Sequence, residues 1–207
     1  MGVAREGLPF IAGSAGLTLL AAWWPALPAL TILLAGLTLF VVAFFRDPDR
    51  QPAGGGIIAP ADGKVVYIGP GTYPGGPADM TMISIFMSVF NVHVNRVPLD
   101  GTVLRVEHTP GAFVNAARAD APAVNERTLT VLATAQGEVA FCQVAGLIAR
   151  RIVCRLRPGD AAVRGARMGL IRFGSRVDVY VPRSWLVRVA VGEYTRAGAT
   201  VVAEAQS

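Results

Sequence analysis

The sequence predicts a mainly β domain, an antiparallel sandwich or half-barrel, preceded by a helical hairpin built to cross a membrane. Three observations carry that expectation. Residues 7–45 contain no charged side chain. Beyond residue 56, short runs of β-branched and aromatic residues alternate with polar ones, the period-2 signature of half-buried strands. Glycine, proline, asparagine and aspartate punctuate those runs at close intervals, which favours hairpins over long crossovers.

The uncharged stretch is roughly twice the length of helix that a ~30 Å hydrocarbon core requires. Trp23-Trp24-Pro25-Ala26-Leu27-Pro28 interrupts it near the middle, combining interface-seeking indoles with helix-breaking prolines. Two apolar helices, about 8–24 and 27–45, are therefore expected as a transmembrane hairpin over residues 1–45. A cleaved signal peptide after Arg5 is the competing reading, but it would leave the second apolar run as a stop-transfer span. Arg5 at one end and Arg46 and Arg50 at the other place both ends on the cytoplasmic side by the positive-inside rule. The expected location is the cell membrane, with the β domain in the cytoplasm. Residues 46–56, rich in proline and glycine, read as a linker, and residues 57–207 as the domain.

The chain carries a net charge of +5, almost all of it as arginine, with Lys64 the single lysine. A basic domain tethered to a membrane suits an anionic membrane surface. The arginines are scattered and accompany no reader motif or aromatic platform, so no nucleic acid partner is expected. Cys142 and Cys154 have neither CxxC nor zinc-site spacing and are expected as reduced core residues, with no metal site.

In chain order, residues 57–68 read as two short strands around an Asp62-Gly63 turn, where Asp62 taken alone is a turn residue. Residues 82–97 read as one strand whose alternation puts Asn91, His93 and Asn95 on a common polar face. Flanking asparagines can orient an imidazole, which makes His93 a candidate acid–base group. Residues 104–108 form a further strand, followed by a loop that includes residues 117–127. Residues 128–134 and 139–144 form a hairpin across Gln136-Gly137. A faint repeat follows, in which Gly159-Asp160 precedes Gly165 as Gly192-Glu193 precedes Gly198. Glycine-punctuated hairpins of this kind suit the barrel-sandwich hybrid of lipoyl- and biotinyl-type domains, but the repeat carries no lysine that could serve as a swinging arm.

The run Gly174-Ser175-Arg176-Val177-Asp178-Val179-Tyr180-Val181-Pro182 reads as a strand entered through a glycine and a serine. Glycine adopts backbone angles closed to other residues, so the hydroxyl of Ser175 can be turned toward the preceding carbonyl. An ordinary tight turn is the alternative.

Taken together, these stretches resemble the short form of the pyruvoyl-dependent phosphatidylserine decarboxylase proenzyme family. The resemblance rests on Ala59-Pro60-Ala61-Asp62-Gly63-Lys64-Val65, Phe90-Asn91-Val92-His93-Val94-Asn95-Arg96-Val97-Pro98, His108-Thr109-Pro110-Gly111, Asn125-Glu126-Arg127, Gln143-Val144-Ala145-Gly146-Leu147-Ile148-Ala149-Arg150-Arg151 and Phe173-Gly174-Ser175-Arg176. It implies that Ser175 attacks the Gly174 carbonyl and that elimination separates residues 1–174 from 175–207, the two chains staying associated. It also implies a pyruvoyl group made from Ser175, which forms a Schiff base with phosphatidylserine and accepts the electrons released with carbon dioxide, giving phosphatidylethanolamine. Asp62 and His93 become the catalytic candidates beside Ser175, and His108, Asn95 and Arg96 the candidates for substrate binding. Longer members of the family carry two histidines three residues apart, where this chain has His93 and Arg96, and a guanidinium cannot act as a base near neutral pH. His93 is therefore expected to serve both self-cleavage and later proton delivery, with His108 as the fallback acid. Two other classes compete: a non-enzymatic membrane-anchored adaptor, and a serine hydrolase, for which no G-x-S-x-G elbow surrounds Ser175.

Overall fold

A computed structural model of the chain describes residues 2–118, 120–147, 151–172 and 174–206. Of the stretches that carry the family resemblance, residues 148–150 and 173 lie outside this set. The chain divides into two units, residues 1–49 and 50–207.

The first unit is a helical hairpin. Strand β1 (Gly2–Val3) leads through a 3-10 turn into α1 (Leu8–Ala22); α2 (Pro28–Phe44) returns to β2 (Arg46–Asp47), which pairs antiparallel with β1. Thr18 and Thr38 share a hydroxyl hydrogen bond of 3.0 Å between the helices, and Phe10 stacks on Phe45 at 5.6 Å. The two prolines seen in the sequence end one helix and begin the next, as their missing N–H requires. At ~1.5 Å per residue the helices reach about 22 and 25 Å, and no helix among the described residues is long and apolar enough to cross a membrane.

The second unit is mainly β. Its strands are β3 (Ile57–Ile58), β4 (Gly63–Pro70), β5 (Met80–Met87), β6 (Val94–Arg96), β7 (Gly101–Thr109), β8 (Arg127–Thr134), β9 (Gly137–Ala145), β10 (Ile152–Cys154), β11 (Ala161–Ala162), β12 (Arg167–Ile171), β13 (Ser175–Pro182), β14 (Leu186–Val187), β15 (Tyr194–Thr195) and β16 (Val201–Glu204). A one-turn helix, α3 (Ala121–Val124), interrupts the loop before β8. Eight strands form an antiparallel half-barrel in the order β11-β7-β8-β9-β13-β5-β4-β15; two small sheets, β10-β12-β6 and β14-β16-β3, complete the sandwich. The alternation in β13 sorts its faces. Val177, Val179 and Val181 join a buried cluster with Ile83, Ile85, Ile171 and Val202, while Tyr180 packs with Tyr73, Met80 and Cys142 on the other side.

Two strand expectations are corrected. Residues 82–97 are not one strand, because Asn91 Oδ1 accepts hydrogen bonds from the backbone N–H and the hydroxyl of Ser88, both at 2.8 Å, and closes a turn between β5 and β6. Side chains of this kind offer the backbone an alternative to the ladder. β3 and β4 flank the Asp62-Gly63 turn but do not pair with each other, since β3 joins β16 and β4 joins β5.

The fold contains a two-fold repeat. Val65 exchanges backbone hydrogen bonds with Gly192 and Glu193, and Val103 exchanges the same pair with Gly159 and Asp160. Ala59 accepts from Gly198 N–H as Val97 accepts from Gly165 N–H. The halves meet reciprocally, with Ile58 N–H donating to Pro98 O and Arg96 N–H to Pro60 O. Ala197 N–H donates to Asp62 Oδ1 at 2.7 Å, and Arg164 N–H to Asp100 Oδ1 at 2.7 Å. The underlying signal is the pair Ala59-Pro60-Ala61-Asp62-Gly63-Lys64-Val65 and Val97-Pro98-Leu99-Asp100-Gly101-Thr102-Val103. The glycines of the C-terminal repeat, Gly159, Gly165, Gly192 and Gly198, all have φ between +76° and +100°, so the repeated hairpins need residues that tolerate the left-handed region.

Candidate active site

Ser175 opens β13, the strand next to the centre line of the large sheet, and is fully buried. In register it faces Met87 of β5 on one side and Ala145 of β9 on the other. Gly174 ahead of it has φ +63°, a conformation that costs a side-chain-bearing residue energy and glycine almost none. The Gly174 carbonyl oxygen lies against Gly146, where an added Cβ would come within 2.0 Å of it. Two glycines, one supplying backbone angle and one supplying space, therefore seat the carbonyl next to the serine.

A buried polar chain leads to the hydroxyl. Gln143 Nε2 donates to Asn95 Oδ1 at 2.8 Å, and Asn95 Nδ2 and Ser175 Oγ each donate to Met87 Sδ at 3.6 Å. A thioether is a weak acceptor, so it fixes the serine rotamer without lowering the oxygen's reactivity. Asn125, also fully buried, clamps Val114 through N–H and carbonyl at 2.9 and 2.8 Å and donates to Ala145 O at 2.7 Å. It thereby fixes the strand end from which Gly146 projects.

His93 is buried, with Nδ1 2.9 Å from the carbonyl oxygen of Asn91. A carbonyl only accepts, so Nδ1 carries a proton and Nε2 is the ring nitrogen left to exchange one. The tautomer is thus set by the backbone of the Ser88–Asn91 turn. The asparagine side chains do other work: Asn91 closes the turn, and Asn95 belongs to the chain that ends at Ser175.

The remaining sequence candidates are placed elsewhere. The Asp62 carboxylate receives a bidentate Arg50 guanidinium, Nη2 at 2.8 Å, and the Ala197 N–H; its contacts do not include His93. Arg96 is buried and donates through Nη1 to Gly165 O at 3.0 Å, with its stem against Gly198, so it sits at the seam of the repeat. His108 is exposed on β7, opposite Thr128 of β8, with Nδ1 3.2 Å from Thr128 Oγ1. Two strands separate β7 from β13, so the sheet does not bring His108 to Ser175.

On the opposite face of β13, Arg176 Nε donates to Asp178 Oδ1 at 2.5 Å and Nη2 to Ser84 Oγ at 2.6 Å. Burial pushes the Asp178 carboxyl above its ordinary range even though Arg176 pulls it back. Burial also raises the Cys142 thiol, which stays protonated and inert. Met87, Gln143, Asn125 and Gly146 were not singled out individually by the sequence. Each acts through a partner distant in the chain, and only the register of β13 between β5 and β9 reveals it.

The fold and site define a class: a half-barrel domain with a buried serine inside its own chain, behind a glycine held in the left-handed region. The particular family follows from comparison. The family model described as phosphatidylserine decarboxylase matches residues 37–203, and the chain belongs to that family. The phosphatidylserine decarboxylase proenzyme of Geobacter metallireducens is 49% identical over 97% of this chain and 95% of its own length. Those of Pelobacter propionicus, 50% identical over 97% of this chain and 95% of theirs, and of Nitrosomonas europaea, 47% identical over 98% and 94%, are equally similar.

Proposed function

We propose that the chain is a self-processing proenzyme that decarboxylates phosphatidylserine to phosphatidylethanolamine. The observation that carries this reading is the buried Ser175 beside a Gly174 carbonyl seated against Gly146. Ser175 Oγ attacks the Gly174 carbonyl carbon as its proton passes to His93 Nε2, and the amide becomes an ester. Loss of the Ser175 Cα proton then expels the Gly174 carboxylate, leaving a dehydroalanine that water converts to a pyruvoyl group and ammonia. His93 serves again as proton donor at the reacting carbon, and Asp62 stabilises the charged arrangement during processing from its place beside Arg50.

The residues present fit such a group, because the head of β13 has a glycine-lined cradle and a buried polar chain at its entrance. Once formed, the pyruvoyl carbonyl supplies the electron sink for decarboxylation. Met87 and Gly146, with Asn95 behind Met87, would hold it at the buried head of β13. The helical hairpin anchors the enzyme to the cell membrane with the catalytic unit on the cytoplasmic side, local bilayer thinning accommodating helices of this length. The anionic membrane surface is met by the basic catalytic unit, and the two product chains remain associated.

Intact mass of the purified protein tests the reading. Expected are a 174-residue and a 33-residue chain, the shorter one blocked at its N-terminus and reactive toward carbonyl reagents. A wild-type protein that is fully active as one 207-residue chain would sink it.

A further inference from the structure

The two neighbours of β13 leave the sheet at one edge. Met87 and Ala145 both face Ser175 in register, so β5 and β9 run parallel to each other and end together beside the Gly174-Ser175 bond. Phe90, three residues past Met87, is 75% exposed, and Leu147, two past Ala145, is 65% exposed. With one strand between them and ~4.8 Å per strand, the two exits stand about 10 Å apart. Arginines occupy the same edge: Arg172, two residues before Gly174, bonds through its N–H to the carbonyl of exposed Arg151 at 3.4 Å.

We propose that Phe90 and Leu147 are bilayer-inserting tips of the catalytic unit, entering the acyl boundary of an anionic membrane on either side of the reactive bond. A protein partner would need a contiguous patch of several hundred Å², and two separated tips do not make one. Apolar tips beside the exposed Arg151 on a basic unit match instead the layered chemistry of a membrane surface, acyl chains below and phosphates above. The proposal rests on the lipid decarboxylase reading, which explains why the edge matters: a two-tailed lipid must bring its headgroup to a buried residue while its tails stay in the bilayer.

The test uses the full chain and vesicles of phosphatidylcholine and phosphatidylglycerol, with and without brominated acyl chains. Phe90→Trp and Leu147→Trp each add an indole at a tip; Val163→Trp adds one at another exposed position, 59% accessible, after β11 toward the opposite end of the ladder. Each added emission is read as a difference from the unmodified chain. Brominated lipid should quench the first two additions and leave the third unchanged. In Phe90→Ser/Leu147→Ser, turnover of vesicle lipid relative to a soluble short-chain analogue should fall about tenfold. Quenching that does not distinguish the tips from residue 163, or a turnover ratio that does not move, overturns the proposal. Wild-type protein that converts neither substrate overturns the decarboxylase reading instead, and the quenching still reports on the tips.

Discussion

The two halves of the repeat share a scaffold and differ at one place. In one half, β8 turns directly into β9, so that Thr134 faces Gly137 across a tight turn. In the other, Met87 of β5 faces Ser175 of β13 in the same relation, but the chain leaves at Met87 and returns only at Gly174. The Gly174-Ser175 bond thus occupies the position of a hairpin turn whose two strands are joined through most of the domain. A second difference accompanies it. Asp62 and Asp100 anchor equivalent turns through the N–H groups of Ala197 and Arg164, yet only Asp62 among the two also binds Arg50. The comparison teaches that the fold supplies the geometry twice and that the proposed chemistry draws on it once.

The sharpest way to break this comparison is at its point of difference. Ser175→Ala should remain a single chain with no decarboxylase activity, seen by denaturing electrophoresis and product assay. Gly137→Ala, at the corresponding turn with φ +107° and open space around the added methyl, should mature normally and lose only about 1–2 kcal/mol of stability. Next in size is His93→Gln, which should slow processing by about 10² to 10⁴. The fraction that matures should still turn over poorly per pyruvoyl group. A matured variant working at the wild-type rate would confine His93 to self-cleavage.

Asp62→Asn and Asp100→Asn sharpen the comparison at the paired turns. Asp100→Asn should lose roughly 1 kcal/mol in urea titration as a charged acceptor becomes neutral, and Asp62→Asn more, because it also weakens the pair with Arg50. Processing should fall about tenfold or more in Asp62→Asn alone; equal processing in both would reduce Asp62 to a turn anchor. The smallest effect concerns Tyr73, which packs on Tyr180 and donates to Glu138 Oε2 at 3.1 Å. Burial, then Glu138, pushes its pKa up to about 12. The neutral phenol is favoured in the folded state, so its contribution is complete below about pH 10 and is lost as pH rises toward 12. Wild type should therefore lose stability over that window, and Tyr73→Phe should flatten the loss.

Local features of this fold were legible in the sequence, and distant ones were not. The β8–β9 hairpin could be read because its turn residues and both strands lie within one short window. The glycine repeat could be read as punctuation, although its positive φ angles and the matching pair of Pro-x-Asp-Gly turns acquire meaning only through pairing across the domain. Residues 88–93 misled because their alternation is genuine, while the Ser88–Asn91 turn is decided by side-chain hydrogen bonds that periodicity does not register. Ser175 was legible from Gly174 and the strand that follows. Its supports were not, because Met87, Asn95, Asn125 and Gln143 converge through register and not through spacing.

The central position of β13 has a consequence for what a cut chain is. Cleavage usually loosens a domain by creating a free end, but an end created at Ser175, as proposed, would already lie threaded between β5 and β9. The short fragment also contributes β15 to the edge at β4 and β16 to the middle of its small sheet, between β14 and β3. Scission there would therefore remove a tether without removing a rung. If the chain is cut there as proposed, dilution would give the fragments no route apart short of unzipping the heart of the sheet, and the pair should unfold as one kinetic entity without trading its smaller piece with neighbouring molecules.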